Sequence, residues 1–488
     1  MPDGEAAPPP ARRRRRWLRR IAAALLVLAV LAGIAAWRLD LTDRWFSEDP
    51  PSPITEPARV PPPAGLTLPA AGLAAPVAEP AAGREVDGAA VRRAVEPLLR
   101  MRKLGTHVVV YAARASGGPV VYRHGSGRVT PASTMKLLTA VAVLQALGPE
   151  HRFSTTVVSP RRSGRIVLVG GGDPLLTRSP LTDGSHPDRA DLDTLAASTA
   201  ERLEAAGRSR VRLSYDTTLF AGPAVNPRWE PSYLPDDVVS PISSLWVDEG
   251  RESTGFADRS GSPALSAAKS FARSLSSRGV TVVGAPRPGV APPRASGGRL
   301  VAEVRSAPLA QVVQHVLEVS DNEGAEVLAR QVAVAEGRPA SFTGAAEAVR
   351  SVLRGIGVST TGAVILDGSG LSRQNRLRPE TLLSVLRQAS SERRPQLRAA
   401  VADLPVAGFT GSLASRFSTG DPAGRGRVRA KTGTLTGVHG LAGTLTTVDG
   451  AVLRFVAIAD RVRAPDQLTA RTRIDEVAAA LAGCTCAR

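Results

Sequence analysis

Apolar positions along the chain change their spacing several times, and each change predicts a different element. Residues 21–37, IAAALLVLAVLAGIAAW, are uncharged throughout; as a helix they would span roughly 25 Å, close to one bilayer core. Residues 38–85 lose all periodicity and fill with proline and alanine, the pattern of a stiff tether. A helix is expected near Val91, then a hairpin in THVVVYAARASGGPVVYRHGSG turning at Ser116-Gly117-Gly118. MKLLTAVAVLQALG is apolar nearly all round and closes on Gly148, which predicts a buried helix. From 152 to 300 short strand-like runs (RIVLVG, RVRLSYD, VTVVGA) alternate with glycine and proline turns. Two helices are expected there, in RADLDTLAASTAERLEAAG and SPALSAAKSFARSLSSRG. Longer elements follow: helices near 308–316, 323–335, 342–355 and 379–392, strands near 427–431, 440–447 and 452–459, and a helix over 466–482. Strands grouped apart from helices predict an α+β body, an antiparallel sheet packed by helices.

Composition adds a compartment. The chain has 488 residues, 43% hydrophobic and 22% charged, enough for two or three cores after the tether. Its net charge of +18 is concentrated in part at Arg12–Arg16, Arg19 and Arg20, directly ahead of the apolar run. Basic residues on that side, with Trp17 and Trp37 at the two edges, predict a signal-anchor with residues 1–20 in the cytoplasm and everything after it outside. A cleaved signal peptide is the alternative, although no clear Ala-x-Ala site follows the run; both readings export the body. Cys484 and Cys486 read as a tail feature, too close for an easy bridge. No basic-aromatic motif points to nucleic acid, and GGGD at 170–173 lacks the lysine and helix of a phosphate loop.

Lysine is used only at positions 103, 136, 269 and 431, against a background of arginine. A lysine amine can lose its proton in a protein, whereas a guanidinium effectively cannot. Two lysines stand three residues after a serine: Ser133/Lys136 and Ser266/Lys269. The second pair sits in an amphipathic helix that Ser262 is expected to cap and is expected to face water. The first stands where a Pro-Ala turn enters the apolar helix, so Lys136 should lie one turn on from Ser133, semi-buried and able to accept its proton. Its bland alternative is that Ser133 merely caps the helix. Two further segments bear on the choice: Ser320-Asp321-Asn322 at a helix start and Lys431-Thr432-Gly433-Thr434 along a strand.

Ser-x-x-Lys, Ser-Asp-Asn and Lys-Thr-Gly, in that order, resemble the penicillin-binding-protein and serine β-lactamase superfamily. The long insertion after the first motif, with GGGDPLL at 170–176 and DGSGLSRQN at 367–375, resembles its D-alanyl-D-alanine carboxypeptidase/endopeptidase family more closely. The resemblance implies a transpeptidase/β-lactamase-like domain at 86–151 and 301–488, interrupted by an inserted region of one or two subdomains at 152–300. It implies that Ser133 attacks the bond between two D-alanines with Lys136 as proton acceptor. Ser320 would relay a proton to the leaving amine and Asn322 would hold the substrate amide. Lys431 would set a positive potential, Thr432 would grip the terminal carboxylate, Gly433 would let substrate approach, and the N–H groups of Ser133 and Thr434 would bind the oxyanion. Implied partners are peptidoglycan stem peptides, β-lactams and, through the N-terminal helix, a membrane; no metal or cofactor is implied. Two alternatives remain: a β-lactamase, for which no Glu-x-x-Leu-Asn segment is evident, and a non-catalytic wall-binding protein keeping the fold.

Overall fold

The computed structural model describes residues 84–488 except 101, 116, 161–163, 253–257 and 419–420. The basic tail, the apolar run and all but the last two residues of the Pro/Ala tether lie outside the described residues. In chain order come α1 (Gly88–Leu99), β1 (Val108–Arg114), β2 (Val120–His124), a 3-10 turn (Ala132–Met135) and α2 (Lys136–Leu147). The middle of the chain supplies β3 (Ser154–Pro160), β4 (Arg165–Val169), α3 (Leu192–Glu204), β5 (Arg210–Asp216) and α4 (Pro263–Ser276). Short β6 (Thr281–Val282) and β7 (Arg287–Pro288) precede β8 (Gly298–Arg305). The rest comprises α5 (Leu309–Glu318), α6 (Asn322–Ala335), α7 (Phe342–Gly355), α8 (Pro379–Ala389), β9 (Val428–Leu435), β10 (Val438–Thr446), β11 (Val452–Ala459) and α9 (Gln467–Ala482).

Five antiparallel strands in the order β2-β1-β11-β10-β9 form the main sheet, with β9 at its edge. Strand side chains alternate between faces, and on β11 Val456 and Ile458 join one core while Phe455, Ala457 and Ala459 join another. The first core is filled by α2, α5, α6, α7 and α8, the second by α1 and α9. This is a helix–sheet–helix sandwich, and burial on both faces explains why VLRFVAIA reads as one apolar run. Helix α2 is buried continuously from Lys136 to Leu144 and ends at Gly148, whose φ of 80° suits the residue that stops it. Cys484 and Cys486 are buried and free in the second core. They are therefore packed groups and not a loose tail: Asp87 donates its N–H to the Cys486 carbonyl at 2.8 Å.

The inserted region has its own sheet, β6-β5-β4-β3-β8 with β7 beside β5, covered by α3 and α4 over a separate core. Strands β3 and β8, at its entrance and exit, pair antiparallel from Ser154↔Arg305 to Pro160↔Gly298. The Ser306 N–H donates to the Phe153 carbonyl at 2.9 Å, so chain leaving the main body returns to the same place. VTVVGA forms only the two-residue β6, while β3 and β8 carry more of the sheet than their sequences announce. On β3 the buried positions are Thr155, Val157 and Ser159, and two polar residues facing inward blunt the alternation that marks a strand. A small cluster of Trp229, Val239, Ile242 and Trp246 seats the insert on Val327, Phe342 and Leu371 of the main body.

Candidate active site

The turn before α2 is the focus. Ala132 has φ 46°, a left-handed conformation that a non-glycine residue adopts only under local constraint. It sets the half-buried Ser133 at the mouth of α2. Lys136 opens the helix, and its Nζ donates to Ser133 Oγ at 3.0 Å, Asn322 Oδ1 at 2.8 Å and the Ser369 carbonyl at 3.0 Å. Those three acceptors use all the protons an ammonium carries. The side chain is 0% exposed, so the amine is fully buried where the sequence suggested semi-burial. Burial pushes its pKa down to about 8, against the opposing pull of Asp321, Glu326, Asp367 and Glu323.

Asn322 reaches Lys136 as the first residue of α6. Ser320, two residues earlier, is half-buried with φ 63°, and among the described residues its hydroxyl makes no hydrogen bond to Ser133, Lys136 or Lys431. Lys431 is buried on edge strand β9, where its Nζ lies 3.3 Å from the Thr432 carbonyl and 3.4 Å from Thr432 Oγ1. Burial, then the charges of Lys136 and Arg416, hold its amine well below the usual lysine range. Thr432 Oγ1 pairs with Ser412 Oγ at 3.0 Å, a residue that no motif in the sequence singled out. A Cβ on Gly433 would stand 2.8 Å from the Pro131 carbonyl, so β9 can run this close to the Ser133 turn only with glycine there. Thr434 is exposed, opposite His439 of β10.

DGSGLSRQN forms a loop that delivers the Ser369 carbonyl to Lys136. Asp367 gathers four donors: Gly370 N, Ser372 N, Asn375 Nδ2 and Trp229 Nε1, at 2.5–2.9 Å. Gly370 has φ 90°, and a Cβ there would lie 1.9 Å from the Ala132 carbonyl. The loop was visible as a motif, but its contribution to the amine is a backbone carbonyl, which side-chain patterns do not signal. GGGDPLL is a seam instead. Gln331 Nε2 donates to the Gly171 and Gly172 carbonyls at 2.7 and 3.1 Å, and Trp246 Nε1 donates to the Asp173 carbonyl at 3.2 Å. The second Ser-x-x-Lys lies elsewhere on α4: Lys269 is exposed, and Ser266 Oγ faces Glu252 at 3.5 Å. Ser262 makes no side-chain cap for α4.

Among known proteins, the model of the D-Ala-D-Ala carboxypeptidase 3 (S13) family matches residues 91–261 and 251–481. Carboxypeptidase DacB of Mycolicibacterium smegmatis is 40% identical over 363 residues, 73% of this chain and 76% of that protein. Carboxypeptidase Rv3627c of Mycobacterium tuberculosis is 37% identical over 367 residues, with the same shares covered. The solved structure of penicillin binding protein 4 (dacB) from Haemophilus influenzae superposes with a TM-score of 0.66 at 23% identity, over 80% of this chain and 98% of that one. That likeness is one of fold.

Proposed function

The chain belongs to the D-Ala-D-Ala carboxypeptidase 3 (S13) family and is a serine-type D-Ala-D-Ala carboxypeptidase of the penicillin-binding type, and from that premise we propose how its residues divide the work. The observation that carries the reading is the hydrogen-bonded chain Ser133–Lys136–Asn322, with the amine buried and its pKa lowered to about 8. In its neutral form Lys136 takes the proton of Ser133 as Oγ attacks the carbonyl between the two terminal D-alanines. The oxyanion is held by the N–H groups of Ser133 and Thr434, aided by the positive end of α2. Ser320 relays a proton to the leaving amine, free D-alanine departs, and water then cleaves the ester on Ser133. Asn322 holds the peptide amide. Lys431 supplies positive potential at the terminal carboxylate, which Thr432 grips, and Gly433 leaves room for substrate along β9.

The substrates in this reading are peptidoglycan stem peptides, with cross-linked peptides as a second class. β-Lactams acylate the same serine, since they present a strained amide where the stem peptide presents its own. Residues 21–37 anchor the chain with the catalytic body outside the cell. Labelling the full chain with a fluorescent penicillin tests the site: the wild type acquires a long-lived adduct and Ser133→Ala acquires none. A wild type that never labels, or a Ser133→Ala protein that labels equally well, rejects Ser133. Rapid breakdown of the adduct, without release of D-alanine from a stem-peptide mimic, would favour the β-lactamase alternative.

A further inference from the structure

One helical turn beyond Asn322 on α6, Glu326 is 1% exposed and points at the DGSGLSRQN loop. Its carboxylate accepts the Gly368 N–H at 3.0 and 3.1 Å and the Ser369 N–H at 2.8 Å. The opposite edge of the same segment is held by α2: Thr139 Oγ1 donates to the Gly368 carbonyl at 2.7 Å and Lys136 Nζ to the Ser369 carbonyl at 3.0 Å. The loop lies so close on α6 that a Cβ at Gly368 would stand 2.5 Å from Ala329 Cβ. Glu326 thus sits one peptide unit away from the Lys136 amine without touching it. Burial, then the charge of Asp367, pushes the Glu326 pKa up to about 7 against the pull of the Ser369 and Gly368 donors, so near pH 8, where Lys136 titrates, the two backbone N–H groups hold mainly the ionised, accept-only carboxylate. The charged groups that face it are Lys136 from α2, Asp367 from the loop and Arg330 from α6. Arg330 spends its terminal nitrogens on the carbonyls of Ala221, Ala340 and Pro223. Lys136 in turn also faces Asp321 and Glu323 of the α6 start and Lys431 of β9.

We propose that Glu326 is a positioning residue for the reaction: it aims the Ser369 carbonyl at Lys136 through the loop backbone, and its negative charge sets how readily that amine releases its proton. The sign follows from charge alone, since removing a nearby negative group disfavours the ammonium form. Glu326→Gln keeps the size and one acceptor but loses the charge; Glu326→Asp keeps the charge but shortens the reach.

Only four lysines are present, so the full chain, carrying isotope-labelled lysine, allows each amine to be titrated by NMR, with Lys136 assigned by its loss in Lys136→Met. In Glu326→Gln the Lys136 midpoint falls by about one pH unit or more, the lower end of what a neighbouring charge does, while Lys103 and Lys269 stay put. In Glu326→Asp the midpoint stays near the wild-type value and the acylation rate with a fluorescent penicillin drops by about tenfold or more, as misplacement of a catalytic group does. An unmoved midpoint in Glu326→Gln, or wild-type acylation in Glu326→Asp, overturns the proposal; should Glu326→Gln fail to fold, Glu326→Asp decides alone. The activity arm rests on Lys136 as the base. If the pH dependence of acylation does not track the NMR midpoint in both wild type and Glu326→Gln, it is that base assignment which fails, while the effect of Glu326 on the amine stands.

Discussion

Charging the amine of Lys136 costs free energy because no water reaches it, and its three protein acceptors recover only part of that cost. A pKa of about 8 against an ordinary 10.5 corresponds to about 3 kcal/mol favouring the neutral form. Two consequences are measurable. With neutral Lys136 as the proposed base, the acylation rate of the free enzyme should rise with pH around a midpoint near 8, and Lys136→Arg should abolish acylation across pH 6–10 since a guanidinium keeps its proton. The folding contribution has the same origin. Between about pH 8 and 10.5 the unfolded lysine holds a proton that the folded one has lost, so this residue makes stability rise with pH in that window. Urea unfolding of Lys136→Met should show a smaller rise, the remainder belonging to Lys431, whose buried amine is lowered as well; a variant whose stability climbs as steeply as the wild type does would show that Lys136 does not titrate there. Scarcity of lysine drew attention to the Ser133–Lys136 pair, but its spacing is shared by Ser266 and Lys269, and it was the apolar helix after it and the two later motifs that singled it out. The Ser369 carbonyl and Glu326 were not legible, because neither the direction of a backbone carbonyl nor the depth of a carboxylate is written in residue type.

At the scale of elements, the site is a turn held by close backbone approaches. Gly370 on one side and Gly433 on the other bring the 367–375 loop and β9 against the Ala132–Met135 turn. Gly370→Ala should therefore harm both fold and chemistry. The residue has φ 90°, and its new Cβ would meet the Ala132 carbonyl at 1.9 Å, so either the loop or the turn must move. We expect a loss of about 2–4 kcal/mol in urea unfolding, the range of strained backbone plus overpacking, with acylation reduced more than stability accounts for. Wild-type acylation in that variant would mean that the loop does not set the turn. Long periodic helices such as α7 and α9 were recognisable from pattern, within a residue or two at their ends. Strands β3 and β8 were not, since they pair with each other across about 140–150 positions and β3 buries threonine and serine.

Across the whole molecule, the insert grips the catalytic body next to the Ser-Asp-Asn motif. Arg259 of the insert pairs with Glu323 of α6, both almost wholly buried, and the Ser240 N–H donates to the same carboxylate at 3.0 Å. Burial raises the Glu323 pKa to about 8, with Asp321 adding to the rise and Arg259 opposing it. Removing one partner strands the other, so Arg259→Ala should cost about 3–5 kcal/mol, whereas Arg259→Met with Glu323→Leu should recover much of it. The loss in Arg259→Ala should deepen from pH 6 to pH 9, because above about pH 8 the wild-type carboxylate ionises beside Arg259, whereas the orphaned one still holds a proton that the unfolded chain has given up. Equal stability of Arg259→Ala and wild type in urea at pH 9 would rule out this contact as the latch.

What the sequence determined alone is the class of chemistry: three short motifs in order, a lysine where arginine is the habit, and an α+β pattern broken by an insertion. These are local facts, carried by residue type and short spacing. Which groups touch was decided only by tertiary structure. Folding brings Ser133, Lys136, Asn322 and the Ser369 carbonyl, spread over more than 230 positions, to hydrogen-bond distance. It also excludes the second Ser-x-x-Lys by leaving Lys269 in water. Burial is a property of the packed whole, and burial is what turns Lys136 from an ordinary cation into an amine that can take a proton near neutral pH.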